Sequence, residues 1–342
     1  MKTPLQVQIH YFTGTGNTAR AARILKQELE NHGYAVTLVS VEKRHLPLPP
    51  ADSVNLHVLA FPVYAGAVPQ IMRQYLRRFS AGGSARFAVL AVVGDAWAGK
   101  GANRKQIPGH EGQSLREAQR LLARKGYHVH LADVVPYPAN LTQIANTMAP
   151  DDQERLFQQS DAQVKAIAAR LISGDTYCKP CPFAVRCWAI PLGMLYRLFG
   201  RRGLGKLYVA DQTCTHCGLC ARYCPAEAIF MREGFPRWTL ECQGCQRCIN
   251  ICPSRSIQTS VVRLVAFIAS IPLSFWLTRD RGKWRFPILW VSIFSFLLPL
   301  LADLTIDRME RNPTARTFLS KSFTQGYRRY REPHFHPPVD TK

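Results

Sequence analysis

Acidic side chains are scarce in this chain, which has 23 Asp and Glu against 44 Lys and Arg and a formal net charge of +21. A balance this basic favours nucleic acid, an acidic protein or anionic lipid as a partner. The sequence has no zinc finger, no helix-turn-helix and no aromatic RNA-binding signature. We therefore expect no nucleic-acid partner.

Cysteine is absent before Cys178 and after Cys252, so that all 11 cysteines lie in one segment of the 342 residues. The chain starts with a strand-like segment rather than with a charged and then apolar export signal. We therefore expect a cytoplasmic location, where thiols stay reduced and available to iron.

Eight of these cysteines form two copies of the spacing C-x2-C-x2-C-x3-C-P. The first copy is Cys214, Cys217, Cys220 and Cys224, and the second is Cys242, Cys245, Cys248 and Cys252. A [4Fe-4S] cubane needs four thiolates on four iron corners, whereas zinc needs only four ligands in all, usually from two separated knuckles. Two equal quartets therefore favour two cubanes.

The segment from Gln212 to Thr259 resembles the two-cluster bacterial ferredoxins. In that family the fourth cysteine of each run ligates the other cluster. The resemblance implies one cluster on Cys214, Cys217, Cys220 and Cys252, and a second on Cys242, Cys245, Cys248 and Cys224. It also implies that the two clusters lie close together and exchange electrons easily.

The N-terminal half alternates β-branched runs with amphipathic stretches, which predicts a doubly wound α/β sheet. The predicted strands are Leu5 to Phe12, Ala35 to Val41, Val54 to Phe61, Arg86 to Val93 and Tyr127 to Val135. Helical spacing of apolar residues after the first strand and before the last predicts helices in the gaps.

Small and hydroxyl residues follow the first predicted strand as Thr13, Gly14, Thr15, Gly16, Asn17 and Thr18. Such a turn at a helix N-terminus can bind phosphate through its amides, hydroxyls and helix dipole. The Walker pattern fails because no lysine follows, and the Rossmann pattern fails because a third glycine is missing. The segment resembles the [ST]-x-T-G-x-T loop of flavodoxins, which implies an FMN phosphate site and a flavodoxin-like sheet.

Two further loops follow the third and fourth predicted strands, at the sheet edge where open α/β sheets bind ligands. Each loop offers glycines for a close approach and one aromatic residue to cover a face of the flavin. The residues that we expect at the flavin are Tyr64, Ala65 and Gly66 in one loop and Gly94, Trp97 and Gly99 in the other. We recognise no NAD(P)H site.

Polar residues interrupt this pattern in two places. Gln6, Gln8 and His10 alternate with apolar residues in the first strand, so one face of the sheet is expected to be thinly covered there. His32, His45 and His57 are expected in loops or at the surface.

Three cysteines remain as C-x2-C-x5-C: Cys178, Cys181 and Cys187. They could hold a third iron-sulfur cluster with one open iron, or zinc with a histidine such as His216 as fourth ligand, or they could be free thiols. Residues 188–211 after them have no nucleotide fingerprint, and we interpret residues 176–211 as a basic connector.

Two apolar stretches follow the cluster motifs, Val261 to Leu277 and Pro287 to Leu304, with a basic segment between them. Neither reaches the 20 or so apolar residues of a typical membrane span, and Arg263, Pro272 and Pro299 interrupt them. Two full spans would export the basic segment against the positive-inside tendency. We therefore expect a hairpin that lies in the cytoplasmic leaflet, with helices docked on a protein surface as the alternative.

These features predict an order along the chain: a flavodoxin-like domain (1–175), the connector (176–211), a small α+β two-cluster ferredoxin domain (212–260), a hydrophobic helical hairpin (261–305) and a basic, disordered tail (306–342). The flavodoxin-like domain and the ferredoxin domain together resemble ferredoxins with an N-terminal flavodoxin-like region.

The resemblance implies an electron-transfer protein that passes electrons between FMN and two [4Fe-4S] clusters, to or from a redox partner protein at the membrane surface or on a membrane subunit. No acid, base or nucleophile constellation is visible, so as an enzyme the chain would serve as a reductase component. One alternative is a reductase that acts on an organic substrate at the flavin or at the three-cysteine site. Another is a scaffold whose α/β domain binds no flavin.

Overall fold

The computed structural model describes residues 5–42, 54–79, 81–83, 85–95, 109–279 and 287–337. The N-terminal domain is built on a six-stranded parallel sheet in the order β2-β1-β3-β4-β5-β6. The strands are β1 (Gln6–Tyr11), β2 (Ala35–Ser40), β3 (Leu56–Pro62), β4 (Arg86–Gly94), β5 (Val129–Tyr137) and β6 (Tyr177–Cys178).

Four helices cover the two faces of this sheet: α1 (Asn17–Asn31), α2 (Gln70–Arg77), α3 (Ser114–Ala123) and α4 (Pro150–Ser173). Leu25 and Leu29 of α1 share one apolar core with Val164 and Ile167 of α4. Side chains of α2 and α3 form the other core against the opposite face. A sheet buried on both faces explains why β3 and β4 are almost continuously apolar.

The order 2-1-3-4-5 of the first five strands is that of the flavodoxin-like fold, so the predicted architecture is confirmed. All five predicted strands occur, each within two residues of its expected ends. The short sixth strand was not predicted. It places Tyr177 and Cys178 at the edge of the sheet, beside Leu131 and Ala132 of β5.

The polar face of β1 is thinly covered at its start, as expected, and buried only toward its carboxyl end: Gln6 is exposed, Gln8 is half-buried and His10 is buried. His10 is fully buried, with its ring nitrogens 2.7 Å from Tyr75 Oη and 2.9 Å from His57 Nδ1. Burial and the neighbouring His57 lower the pKa of His10 to about 3. The prediction for His57 was wrong, because β3 carries it into the core, whereas His32 is exposed and His45 lies outside the described residues.

A second, smaller unit follows with two antiparallel strand pairs. Its elements are β7 (Tyr208–Ala210), α7 (Leu219–Arg222), β8 (Ile229–Arg232), β9 (Phe235–Trp238), α8 (Arg247–Ile251) and β10 (Ile257–Thr259). Strand β7 pairs with β10 and β8 pairs with β9, so the chain enters this unit at Tyr208, a few residues before the predicted boundary. Tyr208, Trp238 and Ile249 form its core together with several of the cysteines.

Helical structure fills most of the segment that the sequence analysis interpreted as a connector. It comprises α5 (Phe183–Leu195), a π-helical turn at Tyr196–Gly200 and α6 (Arg201–Lys206). Pro182 precedes the first helical residue, as is common at helix starts.

Two helices lie where the sequence analysis expected a hairpin, α9 (Val261–Arg279) and α10 (Pro287–Met309), and they pack against each other; we call this pair the hairpin. Charged residues join the two helices and tie their base to the second unit. Arg263 is buried and pairs with Asp303, Asp307 and Glu310, and Arg237 of β9 also pairs with Glu310. No helix among the described residues combines the length and the apolar character needed to cross a membrane.

The expectation of a disordered tail differs from the structure. Helix α11 (Pro313–Leu319) begins after Asn312, whose side chain caps it, and residues 320–337 then cross back to the flavodoxin-like domain. Tyr330, Glu332 and Phe335 are buried there. The carboxylate of Glu332 is 0% exposed and pairs with Arg20 and Arg23 of α1.

We expect Glu332→Ala to release this tail from the domain. The substitution removes the buried carboxylate that holds the tail against Arg20 and Arg23, while Arg20 keeps its second partner, Asp161. Trypsin should then cleave after Arg328, Arg329 or Arg331 much faster than in the wild-type chain, as peptide mapping over time would show. Glu154→Ala, at an exposed site on α4, is the matched control, and equal cleavage rates in both variants would contradict the assigned role of Glu332.

Candidate functional site

The loop between β1 and α1 has the geometry of an anion-binding turn. Gly16 precedes the helix at φ 115°, a left-handed conformation that side chains other than glycine rarely adopt, and its N–H donates to Thr13 Oγ1 over 3.1 Å. Asn17 begins α1, so the positive end of the helix dipole faces the loop. Asn140 Nδ2, from the segment after β5, donates to Thr15 Oγ1 over 2.9 Å.

A cavity of about 390 Å³ opens beside this loop at the carboxyl ends of β1, β3, β4 and β5. Its volume is within the range of ordinary ligand sites. The expected flavin residues that line it are Thr13, Gly14, Thr15, Asn17, Thr18, Tyr64, Ala65 and Gly94.

Two of the expected residues that the structure describes are not in this lining. Gly66 packs on Gly112, and Gly16 lies against Glu332 and Phe335 of the tail. Trp97 and Gly99 lie outside the described residues.

Two hydroxyl groups in the cavity wall, Thr18 Oγ1 and Tyr64 Oη, are buried and have no hydrogen-bond partner among the described residues. Burial raises the pKa of Tyr64 well above its usual value, so its hydroxyl keeps its proton and can donate. Free hydroxyls, a glycine-bearing turn and a helix N-terminus together fit a phosphate with a polar aromatic ring system such as FMN.

The structure sorts the eight ferredoxin-type cysteines into the two expected groups. One small cavity is lined by Cys214, Cys217, Cys220 and Cys252, and another by Cys224, Cys242, Cys245 and Cys248. We call these sets quartet I and quartet II. Each combines three cysteines of one motif with the fourth cysteine of the other.

Charge interactions between the thiols follow the same grouping. Burial raises the pKa of Cys220 to about 12, and Cys252, Cys214 and Cys217 add to this shift. Burial likewise raises the pKa of Cys242 to about 12, with further contributions from Cys245 and Cys224. Four soft thiol donors around one small cavity fit an iron-sulfur cluster, which holds such ligands as thiolates.

The two quartets differ in their access to solvent. In quartet II, Cys242 and Cys245 are buried, whereas Cys217 of quartet I is exposed. Gln246 lines both the quartet II cavity and the flavodoxin-like cavity, and Gly244 lines the latter. Gly14 packs closely on Cys245: a Cβ added to Gly14 would lie 2.5 Å from the carbonyl oxygen of Cys245. Quartet II therefore lies directly beside the phosphate loop.

Arg247, between two ligands of quartet II, joins the two domains at this point. Its Nε donates to Gly14 O over 2.9 Å and its Nη2 to Thr13 O over 2.6 Å. The remaining N–H groups reach both carboxylate oxygens of Glu42 and the carbonyl of Tyr223. All five N–H donors are therefore satisfied although the side chain is only 1% exposed.

Several residues around the cavity were not found from the sequence. Tyr196 and Leu204 of the helical connector line it, as do Asn140 and Gln246. The tail reaches the phosphate loop from the other side, where Glu332 N donates to Thr15 O over 2.9 Å and Tyr330 Oη contacts the Asn17 side chain. No sequence pattern marks them, because Gln246 occupies a spacer position of the second cysteine motif and the others lie in segments without a recognisable motif.

The remaining three cysteines do not behave as a third quartet. Cys178 Sγ faces Val129 O and Cys181 Sγ faces Gly112 O, whereas Cys187 is an exposed residue of α5. Burial raises the pKa of Cys178 and Cys181, and the other groups that shift these two thiols are not cysteines.

The structure also separates the proposed fourth zinc ligand from this site. His216 bonds to the Gly234 carbonyl beside β9. Within the described part of the chain, no three His, Cys, Asp or Glu side chains converge on a position for a single metal ion. The zinc interpretation of Cys178, Cys181 and Cys187 therefore has no support.

Comparison with known proteins gives one family match, a 4Fe-4S dicluster domain at residues 206–253. No curated protein is significantly similar in sequence to this chain.

Among solved structures, the Megasphaera elsdenii flavodoxin in its two-electron reduced form is similar, with 18% identity over 48% of this chain and 98% of its own and a TM-score of 0.30. An NAD(P)H:quinone oxidoreductase from Methanothermobacter marburgensis shares 10% identity over 49% of this chain and 96% of its own, with a TM-score of 0.35.

The strand order, rather than these distant similarities, identifies the first domain. The matched segment contains both quartets, including the two fourth cysteines that they exchange. This chain therefore joins a flavodoxin-like domain to a 4Fe-4S dicluster domain.

Proposed function

We propose that this chain carries electrons between an FMN in the flavodoxin-like cavity and two [4Fe-4S] clusters, and from there to or from a redox partner protein. The observation that carries the proposal is the shared wall between the two sites. Gln246 lines both the flavodoxin-like cavity and the quartet II cavity, and Gly14 contacts the Cys245 backbone.

The residues that would hold FMN are those of the cavity wall. The turn from Thr13 to Thr18 would receive the phosphate, and Tyr64 and Gly94 would border the ring system. FMN supplies two-electron chemistry with release of single electrons, which matches one-electron clusters. The chain itself orients the phosphate, through Thr18 Oγ1 and the amides at the start of α1, and places the buried quartet II beside it.

The difference in exposure assigns an order to the two clusters. Quartet II is buried against the flavin cavity, and quartet I has an exposed cysteine at the protein surface. A partner protein would therefore exchange electrons at quartet I, and quartet II would connect it to the flavin.

The hydrophobic hairpin would attach the protein to the cytoplasmic face of a membrane. Several of its large apolar side chains are exposed, including Ile268, Trp276 and Leu301. Arg237 of β9 pairs with Asp307 and Glu310 and so holds the base of the hairpin on the dicluster domain, and lipid contact would not require the clusters to leave the aqueous phase.

A reductase that acts on an organic substrate at the flavin is the second candidate, because the cavity includes exposed apolar side chains such as Ile144. Serine at Cys178, Cys181 and Cys187 tests the version that needs those cysteines. Lost turnover with unchanged transfer to an artificial acceptor would support it.

We expect the anaerobically purified chain to contain about eight irons and one FMN, because each cubane holds four irons. Acid-labile iron, zinc and released flavin would be measured on the same sample. About twelve irons would show a third cluster, and eight irons without flavin would refute the FMN part of the proposal.

We expect Cys217→Ser and Cys245→Ser to affect electron transfer differently. Cys217→Ser should damage the cluster at the surface and slow transfer to an external acceptor, while photoreduced flavin still delivers electrons to the other cluster. Cys245→Ser should disrupt the cluster beside the flavin and block that first transfer. Stopped-flow absorption would separate the two effects, and identical defects in both variants would contradict the assigned order.

Arg247 and Glu42 give a sharper test because they form one ion pair but carry opposite charges. A buried cation beside a cluster favours its reduced form, and an anion disfavours it. We therefore expect Arg247→Gln to lower the reduction potential of the quartet II cluster and Glu42→Gln to raise it.

Flavin affinity should separate the same two variants. Arg247→Gln loses the donors to Thr13 O and Gly14 O and should weaken FMN binding by roughly tenfold or more. Glu42→Gln keeps those donors and should bind FMN nearly as the wild type does. Redox titration followed by electron paramagnetic resonance would measure the reduction potentials, and flavin fluorescence would measure the FMN affinities. Potentials that move in the same direction in the two variants would show that Arg247 has only a structural role.

A further inference from the structure

The helical segment from Phe183 to Lys206 turns small and charged side chains toward the protein and apolar side chains outward, the opposite of an ordinary surface helix. A stripe of residues four positions apart faces the protein, namely Ala189, Gly193, Arg197, Arg201 and Gly205. Large apolar side chains face away from it, each 41–73% exposed: Phe183, Trp188, Ile190, Leu192, Met194, Leu195, Leu198 and Phe199. We call these eight residues the outer face.

The charged residues of the stripe explain the reversal. Arg197 Nη1 donates to the Glu117 carboxylate over 3.0 Å, and Arg201 Nη1 donates to the Cys242 carbonyl over 3.0 Å. Gly193 lies so close to Ala67 that a Cβ at this position would be 2.9 Å from the Ala67 Cβ. The segment is therefore seated through its small and charged side, and the apolar side is left outward.

The hairpin shows the same reversal and is continuous with this segment. Arg263 is buried among acids, whereas Val265, Phe267, Ile268, Leu273 and Trp276 of α9 are exposed. Lys206 pairs with Asp303 of α10 over 2.7 Å, and a Cβ on Gly203 would lie 3.8 Å from the ring of Phe267. The two apolar surfaces thus meet at the junction of α6 and α9.

We propose that the outer face and the exposed side of the hairpin form one lipid-binding surface, which rests in the boundary layer of an anionic membrane. The inference extends the proposed membrane attachment from the hairpin to a second element. Contiguous apolar patches of this kind mark sites of contact with lipid or protein. Lipid is favoured because the outward side chains are almost entirely hydrocarbon, with the indoles of Trp188 and Trp276 suited to the membrane interface, and the net charge of +21 suits an anionic surface.

The surface also fixes how the redox sites are placed. Tyr196 and Leu204 line the flavodoxin-like cavity from the same helical segment that carries the outer face. The segment is about 36 Å long at 1.5 Å per residue. The flavin cavity would therefore lie next to the membrane boundary rather than on the far side of the protein.

The test is vesicle binding of the full chain with its cofactors, with one pair of substitutions on each element. Leu192→Glu with Leu195→Glu changes the outer face, and Ile268→Glu with Leu301→Glu changes the hairpin. Leu5→Glu is the matched control, because Leu5 is 51% exposed and Leu195 is 52% exposed. The probes are vesicles of phosphatidylcholine with phosphatidylglycerol and vesicles of phosphatidylcholine alone.

We expect each pair to lower binding to the mixed vesicles by roughly tenfold or more, since a charge then replaces apolar area that lipid would bury. The control should bind as the wild type does. Brominated lipids should quench Trp188, and Trp188→Phe should remove that part of the quenching. Wild-type binding by the outer-face pair, alongside loss by the hairpin pair, would overturn the proposal.

Failure of the wild-type chain to bind either vesicle would also overturn it and leave a protein partner as the occupant of the surface. Iron and flavin content, and photoreduction of the clusters, are measured on the same samples. These readouts do not depend on lipid, so failure of the electron-transfer proposal would be visible separately from failure of the lipid-binding proposal.

Discussion

The buried guanidinium of Arg247 is the interaction on which the assembly of this molecule depends. A charge that is removed from water must have every donor satisfied, and here the partners come from three places: the phosphate loop, the carboxylate of Glu42 and the cluster unit itself. These bonds fix how the two domains pack in the structure. The arrangement brings the backbone of Cys245 against Gly14 and gives the flavodoxin-like cavity and the quartet II cavity a common wall.

The cysteines are buried close to this junction and more exposed farther from it. The cysteines of quartet II lie inside, close to the flavodoxin-like core, and quartet I lies farther out with Cys217 exposed. Iron-sulfur potentials depend on nearby charge, hydrogen bonds and solvent exposure. The two quartets share one ligand spacing, so a difference in their potentials would arise from their surroundings and not from their motifs.

The parts that could be predicted from the sequence are those encoded by local spacing. The eight cysteines follow from two repeated motifs and their grouping from the resemblance to two-cluster ferredoxins, the strands follow from β-branched runs, and the phosphate loop follows from six consecutive residues. Arg247 could not be found in this way, because its partners Thr13 and Gly14 are 234 and 233 positions away and an arginine between two cysteines has no distinctive pattern.

The errors share a single physical cause, which is that charge and polarity were taken as signs of exposure. His57 is polar but lies in the core beside His10. Residues 176–211 were interpreted as a basic connector, although Arg197 and Arg201 in this segment point inward. The tail is rich in arginine, yet its buried Glu332 pairs with Arg20 and Arg23 and holds the segment in place.

The docking of Glu332 on the phosphate loop has a consequence for the order in which the protein matures. Arg20 and Glu332 are 312 positions apart, so the first domain to leave the ribosome lacks one wall of its anion-binding turn until nearly the whole described chain has been synthesised. Domains generally fold as units during synthesis, N-terminal first. Here the flavodoxin-like sheet can form early, but its cofactor loop is completed last, after the cluster unit and the hairpin have taken their places. Retention of the proposed FMN would thus report on the assembly of the entire polypeptide and not only of the flavodoxin-like domain.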